Sequence, residues 1–180
     1  MEAISRTIIG WVGRFEELDG VVKEMFYIAR DVRKNAQAPY SHYLVGVAGQ
    51  SAKTGKVYRG CNVERGSWTQ TTHAEQAMLD SMIAAEGKGV KLSKLVLLAG
   101  PENQDIVLPP VLPYRRESWQ IKFSQIPAPC GHCLQCIWEN CLEDGKVGMY
   151  GLLPTGEATM VTIDDAFPLK FGPADLGVKY

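Results

Sequence analysis

Two short segments restrict the fold of this chain more than any other feature. They are Thr72-His-Ala-Glu-Gln76 and Pro129-Cys-Gly-His-Cys133. Apolar residues recur at helical spacing after each segment, so each lies at a predicted helix start. In mid-helix, residues two apart point to nearly opposite sides, whereas in a first turn His73 and Glu75 can face the same way. The fold must therefore bring two helix N-termini together around these side chains.

The residues around these segments predict alternating helices and strands. Helical apolar spacing follows Asp19 and precedes Gly87, and β-prone runs flank 51–55, which is typical of a hairpin turn. Such alternation predicts a three-layer α/β/α sandwich around a mixed sheet of about five strands. In chain order, we expect a helix at 20–35, strands at 43–50 and 56–62, a helix at 72–86, a strand at 94–99, a helix at 131–143, strands at 148–153 and 157–163, and an irregular tail from 164.

Length and composition fit a single domain, residues 1–180. A chain of 180 residues that is 46% hydrophobic can bury one sizeable core. Residues 101–129 hold six of the ten prolines and show little periodicity. We interpret them as a long proline-rich insertion over the surface.

Charge disfavours some classes of partner. The net charge of −1, without a dense run of Lys or Arg, disfavours binding to nucleic acid phosphates and favours a small, weakly charged substrate. The opening segment 1–18 interrupts its apolar residues with Glu2, Arg6 and Arg14, which argues against a signal peptide or a membrane span. We therefore expect a cytoplasmic protein.

Cysteine usage indicates metal chemistry. Five cysteines, an odd number clustered mostly in one stretch, suit thiolates in a reducing compartment better than a disulfide framework. Cys130-x-x-Cys133 places two thiolates within reach of one tetrahedral ion, and His73 supplies a third ligand. Three protein ligands leave a fourth position open for water, as in catalytic zinc sites. The remaining cysteines are interpreted as small buried residues: Cys61, Cys136 and Cys141.

Each segment on its own also has an ordinary structural interpretation. Thr72-x-x-Glu75 is the pattern of a capping box, in which Glu75 would bond to the backbone at a helix start. A lone Cys-x-x-Cys is found in redox pairs and in halves of structural zinc sites. Together, in this order, the segments match the H-x-E and P-C-x-x-C signature of zinc deaminases. Glu75 would then move protons, first to the ring nitrogen beside the attacked carbon and later to the departing amine.

The chain resembles the cytidine deaminase family over most of residues 20–150. The similarity lies in Pro39-Tyr-Ser-His-Tyr-Leu-Val-Gly46, Gly60-Cys-Asn-Val-Glu64 and the two segments above. Together with Phe171–Leu176, those segments are most similar in sequence to the histidine-containing enzymes of bacteria and plants. The resemblance implies zinc-dependent hydrolysis of cytidine or deoxycytidine to uridine or deoxyuridine, with release of ammonia, as in pyrimidine salvage.

The resemblance also implies a set of substrate contacts. Asn62 and Glu64 would bind the sugar hydroxyls, Tyr43 would lie against the base, and Ala74 completes the predicted set. Amide and carboxylate groups supply the donors and acceptors that a ribose edge requires. The residues taken alone leave two ordinary alternatives open, which are loop entry for Asn-x-Glu and core packing for Tyr43.

Three further side chains near these motifs are assigned lesser roles. His42 and His132 are expected to form hydrogen bonds rather than to bind the metal, because three ligands are already assigned. Trp68 precedes the zinc helix, where it would line the pocket or simply pack against its neighbours.

The chain departs from the family pattern at two places. Leu134 follows the second zinc cysteine, where family members usually have Arg, so a charge is missing beside the metal. The 101–129 insertion is longer than the corresponding family connection. The chain is also too short to hold the second, zinc-free copy of the fold that two-domain members carry. We therefore expect a homo-oligomer, a tetramer or a dimer, to supply the missing pocket walls.

Other functions with the same zinc signature are alternatives. A changed residue beside the metal and an enlarged loop could adapt the site to a modified aminonucleoside such as blasticidin S. A nucleic-acid base deaminase should show basic surface and would not need Asn62 and Glu64 for a free sugar. A non-catalytic zinc-binding module would leave Glu75 without a chemical task.

Overall fold

The computed structural model describes residue 3, residues 5–109 and residues 125–177, and these form one mixed sheet with helices on both faces. The strand order is β1-β6-β5-β4-β2-β3, in which β4 and β5 are parallel and all other neighbours are antiparallel. The strands are β1 (Gly10–Gly13), β2 (Tyr43–Ser51), β3 (Val57–Cys61), β4 (Leu92–Pro101), β5 (Gly148–Leu152) and β6 (Ala158–Thr162). The helices are α1 (Gly20–Arg33), α2 (Ala74–Glu86), α3 (Gly131–Asn140) and α4 (Ile163–Ala166).

Alternation along the central strand explains the three layers. In β4, Leu95 and Leu97 are buried against α2 and α3, whereas Val96 and Leu98 are buried against α1. This is the period-two pattern of a strand that is covered on both faces. Burying a leucine or valine side chain completely contributes about 1.5–3 kcal/mol, so both helical layers are held mainly by apolar packing.

The predicted α/β sandwich is confirmed, with one strand more than expected. Strand β1 pairs antiparallel with β6, from Gly10 opposite Val161 to Gly13 opposite Ala158. Its four residues include two glycines and lack an alternating pattern, so no local signal marks it as a strand. Its pairing depends on a partner strand near the other end of the chain.

Several predicted boundaries shift by a few residues. Helix α2 begins at Ala74 rather than at residue 72, because His73 is extended and serves as the N-cap. Helix α3 ends at Asn140 rather than at residue 143, and Leu142 and Glu143 follow in left-handed conformations. The tail that was predicted to be irregular contains α4 and a 3-10 turn at Pro173–Leu176.

The predicted insertion at 101–129 is only partly described. Strand β4 extends through Pro101, residues 102–109 follow it, and residues 125–130 lead into α3, whereas 110–124 lie outside the described residues. The single-domain boundary of 1–180 stays a prediction. No described helix is both long and apolar enough to span a bilayer.

Two glycines let helices approach the sheet more closely than other residues would allow. A Cβ on Gly60 of β3 would lie 2.3 Å from the Ala74 carbonyl oxygen and 2.5 Å from the Met78 nitrogen, both in α2. On the other face, a Cβ on Gly46 of β2 would lie 2.1 Å from the Ala29 carbonyl oxygen in α1. Gly60 therefore sets the depth at which the first turn of α2 rests on the sheet.

Candidate metal centre and substrate cavity

The N-termini of α2 and α3 converge on one point. His73 is the N-cap of α2, Cys130 is the N-cap of α3, and Cys133 lies in the first turn of α3. The Nδ1 atom of His73 lies 3.5 Å from Sγ of Cys130 and 3.3 Å from Sγ of Cys133. Within the described residues, this is the only group of three His, Cys, Asp or Glu side chains close enough to share an ion.

The spacing of these three atoms fits a tetrahedral zinc site. Zinc bonds of about 2.0–2.1 Å to nitrogen and about 2.3 Å to sulfur place the nitrogen and sulfur ligands about 3.6 Å apart. The observed nitrogen to sulfur distances of 3.5 Å and 3.3 Å are close to that value. The two sulfurs and one nitrogen are also a donor set that zinc prefers.

The electrostatics of the cluster favour a cation. Cys133 is fully buried. Burial raises the pKa of its thiol, and the neighbouring Glu75 carboxylate and Cys130 raise it further. Such a group resists ionisation unless a positive charge lies beside it, and a bound metal ion supplies that charge. The thiolate form of Cys133 is therefore costly in the chain alone and becomes favourable beside a metal ion.

Glu75 is the second residue of α2 and is only 5% exposed, yet it lines a cavity beside the cluster. The capping box predicted as an alternative, with Glu75 bonded to the backbone of Thr72, is wrong. The N-cap is His73, and its backbone N–H donates to Oε1 of Gln76 at 3.1 Å. Gln76 therefore makes the capping contact to the backbone, and Glu75 lines the cavity instead.

The two other histidines form hydrogen bonds outside the cluster, as expected. Nε2 of His132 lies 2.9 Å from Nε2 of Gln76. Nδ1 of His42 lies 3.1 Å from the Glu102 carboxylate. Sequence reasoning missed Gln76, although a glutamine three residues after an N-cap is the usual signal for its backbone contact.

The cavity has a volume of about 480 Å³. Seven of the eight predicted site residues line it, and the eighth, Cys133, is fully buried. Trp68 also lines it, with 63% of its surface exposed and its ring 5.6 Å from that of Tyr40. The seven are Tyr43, Asn62, Glu64, His73, Ala74, Glu75 and Cys130.

Asn62 and Glu64 are fixed by the chain that enters β2. The Asn62 amide donates to the Tyr43 carbonyl at 3.0 Å, and its Oδ1 accepts from the Val45 N–H at 2.8 Å. The Glu64 carboxylate accepts from the hydroxyl and N–H of Ser41 and from the Tyr40 N–H. The Ser41 hydroxyl is the largest cause that lowers the pKa of Glu64. These bonds leave one Asn62 N–H and part of the carboxylate's acceptor capacity for a ligand.

Other residues of the cavity carried no signal in the sequence. Leu97 and Ala99 of β4 line it, together with Pro127 and Ala128 just before α3. Their small or apolar side chains look like ordinary core residues until the strands and the second helix are placed. They supply the apolar wall that a flat ring would contact.

Leu134 and the remaining cysteines belong to the packing of the domain. Leu134 is 7% exposed and lies in the core between α2, α3 and the sheet, so apolar packing occupies the position of the family's usual arginine. Cys141 is buried as predicted, whereas Cys61 and Cys136 are only half-buried.

Sequence comparisons relate the chain to one family of deaminases. The family model for the cytidine and deoxycytidylate deaminase zinc-binding region matches residues 21–149. The chain is 28% identical over 156 residues to a cytidine deaminase of Sporosarcina psychrophila, covering 86% of this chain and 94% of that protein. It is 29% identical over 148 residues to a cytidine deaminase of Halalkalibacterium halodurans, covering 82% and 92% of the two chains.

Solved structures share the fold. A cytidine deaminase from Burkholderia pseudomallei superposes with a TM-score of 0.61 at 24% identity, covering 82% of this chain and 97% of that one. One from Bacillus anthracis superposes with a TM-score of 0.60 at 8% identity, covering 88% and 94%. With the match over residues 21–149, these findings show that the chain belongs to the cytidine and deoxycytidylate deaminase family of hydrolytic enzymes.

Proposed function

We propose that this enzyme is a zinc-dependent deaminase that hydrolyses cytidine and deoxycytidine to uridine and deoxyuridine with release of ammonia. The observation that carries the proposal is the buried Glu75 carboxylate, which lines a cavity of about 480 Å³ next to the converging His73, Cys130 and Cys133 side chains. The names of the relatives support cytidine as the substrate.

His73, Cys130 and Cys133 would hold the zinc ion. When bound, zinc would act as a Lewis acid and lower the pKa of a water molecule toward neutrality. Two thiolates formally neutralise the ion, and three protein ligands leave room for one more. The helix N-termini also favour thiolates, because their free N–H groups carry partial positive charge.

Glu75 would carry the protons of the reaction. Its carboxylate accepts a proton from the attacking water and delivers it to the ring nitrogen beside the attacked carbon. It then takes the remaining proton from the hydroxyl added to the ring carbon and delivers it to the amine, so that the carbonyl of uridine forms as the carbon–nitrogen bond breaks and ammonia leaves. The burial of Glu75 keeps bulk water away from these transfers, which strengthens its interaction with the charge that develops.

The cavity walls would select a nucleoside. Asn62 offers an N–H and Glu64 offers acceptor capacity to the sugar hydroxyls. Tyr43, with Leu97 and Ala99, offers a largely apolar surface to the base. Because Asn62 and Glu64 are already held by backbone groups, they would bind without losing much conformational freedom.

Self-association is part of this proposal. Trp68 and Tyr43 line the cavity but are 63% and 46% exposed, so the wall is open on that side. A second copy of the chain would close it, as a tetramer or a dimer. Light scattering coupled to size-exclusion chromatography measures the mass directly, and a monomer that is fully active would contradict this part.

One observation favours a modified nucleoside such as blasticidin S as a second candidate substrate. Another cavity of about 340 Å³ shares four lining residues with the first, namely Tyr43, Leu97, Ala99 and Pro127. A larger substrate could extend into it. The same assay panel distinguishes the two candidates.

The direct test follows loss of the cytidine absorbance band with zinc-loaded protein, alongside deoxycytidine, adenosine and blasticidin S. We expect turnover of cytidine, and we expect Glu75→Gln to keep its zinc but lose about 10²–10⁴-fold in kcat. The matched control is Glu24→Gln, an exposed carboxylate on α1. If the zinc-loaded protein converts blasticidin S but not cytidine, the modified nucleoside replaces cytidine as the substrate; if it converts none of the panel, the proposal fails.

A further inference from the structure

Gln76 connects the two helix N-termini that carry the predicted metal ligands. It is the third residue of α2 and is half-buried. Its Oε1 accepts from the His73 backbone N–H at 3.1 Å, and its Nε2 lies 2.9 Å from Nε2 of His132. His132 lies between Cys130 and Cys133 in the chain. One side chain therefore contacts the backbone of the ligand on α2 and the ring between the ligands on α3.

The orientation of the Gln76 amide follows from its two partners. A backbone N–H can only donate, so the atom of Gln76 that faces His73 is the carbonyl oxygen. The amide nitrogen then faces His132, and because it carries only donors, Nε2 of His132 must accept. Donation thus runs in one direction, from the His73 backbone N–H through the Gln76 amide to Nε2 of His132.

We propose that Gln76 is a positioning residue that holds His73 at the correct distance from Cys130 and Cys133, with His132 as its anchor on α3. The proposal rests on the zinc site proposed above. Ligand atoms must lie within a few tenths of an ångström of the metal's geometry, and side chains behind the ligands fix that geometry. The two helices are far apart in sequence, so a direct contact at their first turns limits how far they can separate.

The first test measures zinc affinity by competition with a chromogenic chelator. Gln76→Met is close to glutamine in length but loses both hydrogen bonds, and we expect its zinc affinity to fall about 10- to 100-fold. Gln76→Glu keeps an oxygen for the His73 N–H and should fall between Met and the native residue. The matched control is Gln50→Met, because the Gln50 amide also makes two hydrogen bonds: it donates to the Gly55 carbonyl at 3.0 Å and accepts from the Ser93 hydroxyl at 3.5 Å.

A second variant removes the hydrogen bond between Gln76 and His132 from its α3 side. His132→Phe keeps a ring and leaves the His73–Gln76 contact intact, so it tests the anchor without changing the cap of α2. If the two residues act through one bond, the double variant Gln76→Met with His132→Phe should be little weaker in zinc affinity than the weaker single variant. Additive losses would overturn the pairing.

Thermal unfolding of the metal-free protein separates positioning from general stability. A merely structural role would lower the Tm of the metal-free chain and leave zinc affinity unchanged, and that result would overturn the proposal. If the native chain binds zinc and Gln76→Met binds it equally well, only this inference fails. If the native chain binds no zinc at all, the proposed function fails, and this inference with it.

Discussion

The polar side chains at the two ends of α2 lie in opposite kinds of environment. At the C-terminal end, Glu86 accepts hydrogen bonds from the hydroxyls of Thr54, Ser51 and Tyr58, the last two at 2.8 Å and 2.9 Å. The Thr54 bond is the largest cause that holds the pKa of Glu86 below its ordinary value. At the N-terminal end, two thiols, an imidazole and the Glu75 carboxylate converge instead.

The difference separates a stabilising cluster from a functional one. At Glu86, every neighbour donates to the carboxylate, so the cluster is satisfied by the chain itself and ties the β2–β3 hairpin to the helix. At the other end, burial and the neighbouring acidic groups raise the pKa of Cys133. The thiolate form of Cys133 becomes favourable only beside a cation, which is typical of a site built for a ligand.

The largest expected effect comes from removing a ligand at the N-terminal end. Cys133→Ala should lower zinc affinity by more than about 100-fold, beyond the loss expected for a residue behind a ligand, and deaminase activity should fall with it. Zinc analysis and a cytidine assay measure both. Cys141→Ala is the control, because that thiol is equally buried but lies at the C-terminal end of α3. It should cost about 1–3 kcal/mol of stability and keep its zinc. Equal zinc affinity in the two variants would contradict the comparison.

A smaller effect is expected at the C-terminal end. Glu86→Gln replaces an acceptor with an amide group that cannot accept from all three hydroxyls, so the Tm should fall by about 2–4 °C. Zinc content and kcat should not change, because the change lies at the far end of α2. Calorimetry and the cytidine assay measure this pair of results. A loss of activity at unchanged zinc content would show that the two ends are coupled.

The smallest expected effect is a dependence on pH. The pKa of Glu86 is lower in the folded chain than its ordinary value of about 4.3, so its charged form stabilises the fold. That contribution is present above about pH 4.3 and is lost as the pH falls through the lower folded pKa. The Tm difference between the native chain and Glu86→Gln should therefore shrink under acidic conditions. A difference that stays constant down to pH 3 would argue against a role for the charge.

The sequence predicted the meeting of the two helix starts better than it predicted the edges of the sheet. The ligand set at His73, Cys130 and Cys133 could be proposed because side chains at a helix start follow from local spacing. Strand β1 could not be predicted, because its identity depends on pairing with β6 rather than on its own residues. Local patterns thus locate helix starts, while sheet edges depend on distant partners.

Within the site, the same limit applies. Thr72-x-x-Glu75 and His73-x-x-Gln76 are both acceptable capping patterns, and only the backbone conformation of His73 decides between them. The Gln76 contact with His132 and the wall formed by Pro127 each require two distant segments to be in place. Contacts between residues of two distant segments therefore cannot be predicted from the sequence of either segment alone.

Gly60 shows how a residue without a functional group can be as restricted as a ligand. It lies on β3 under the first turn of α2, where even a methyl group would meet the Ala74 carbonyl. Any replacement must shift that turn, which carries His73 and Glu75, relative to the sheet. In a natural population, missense variants at this codon should be as rare as those at the ligand codons.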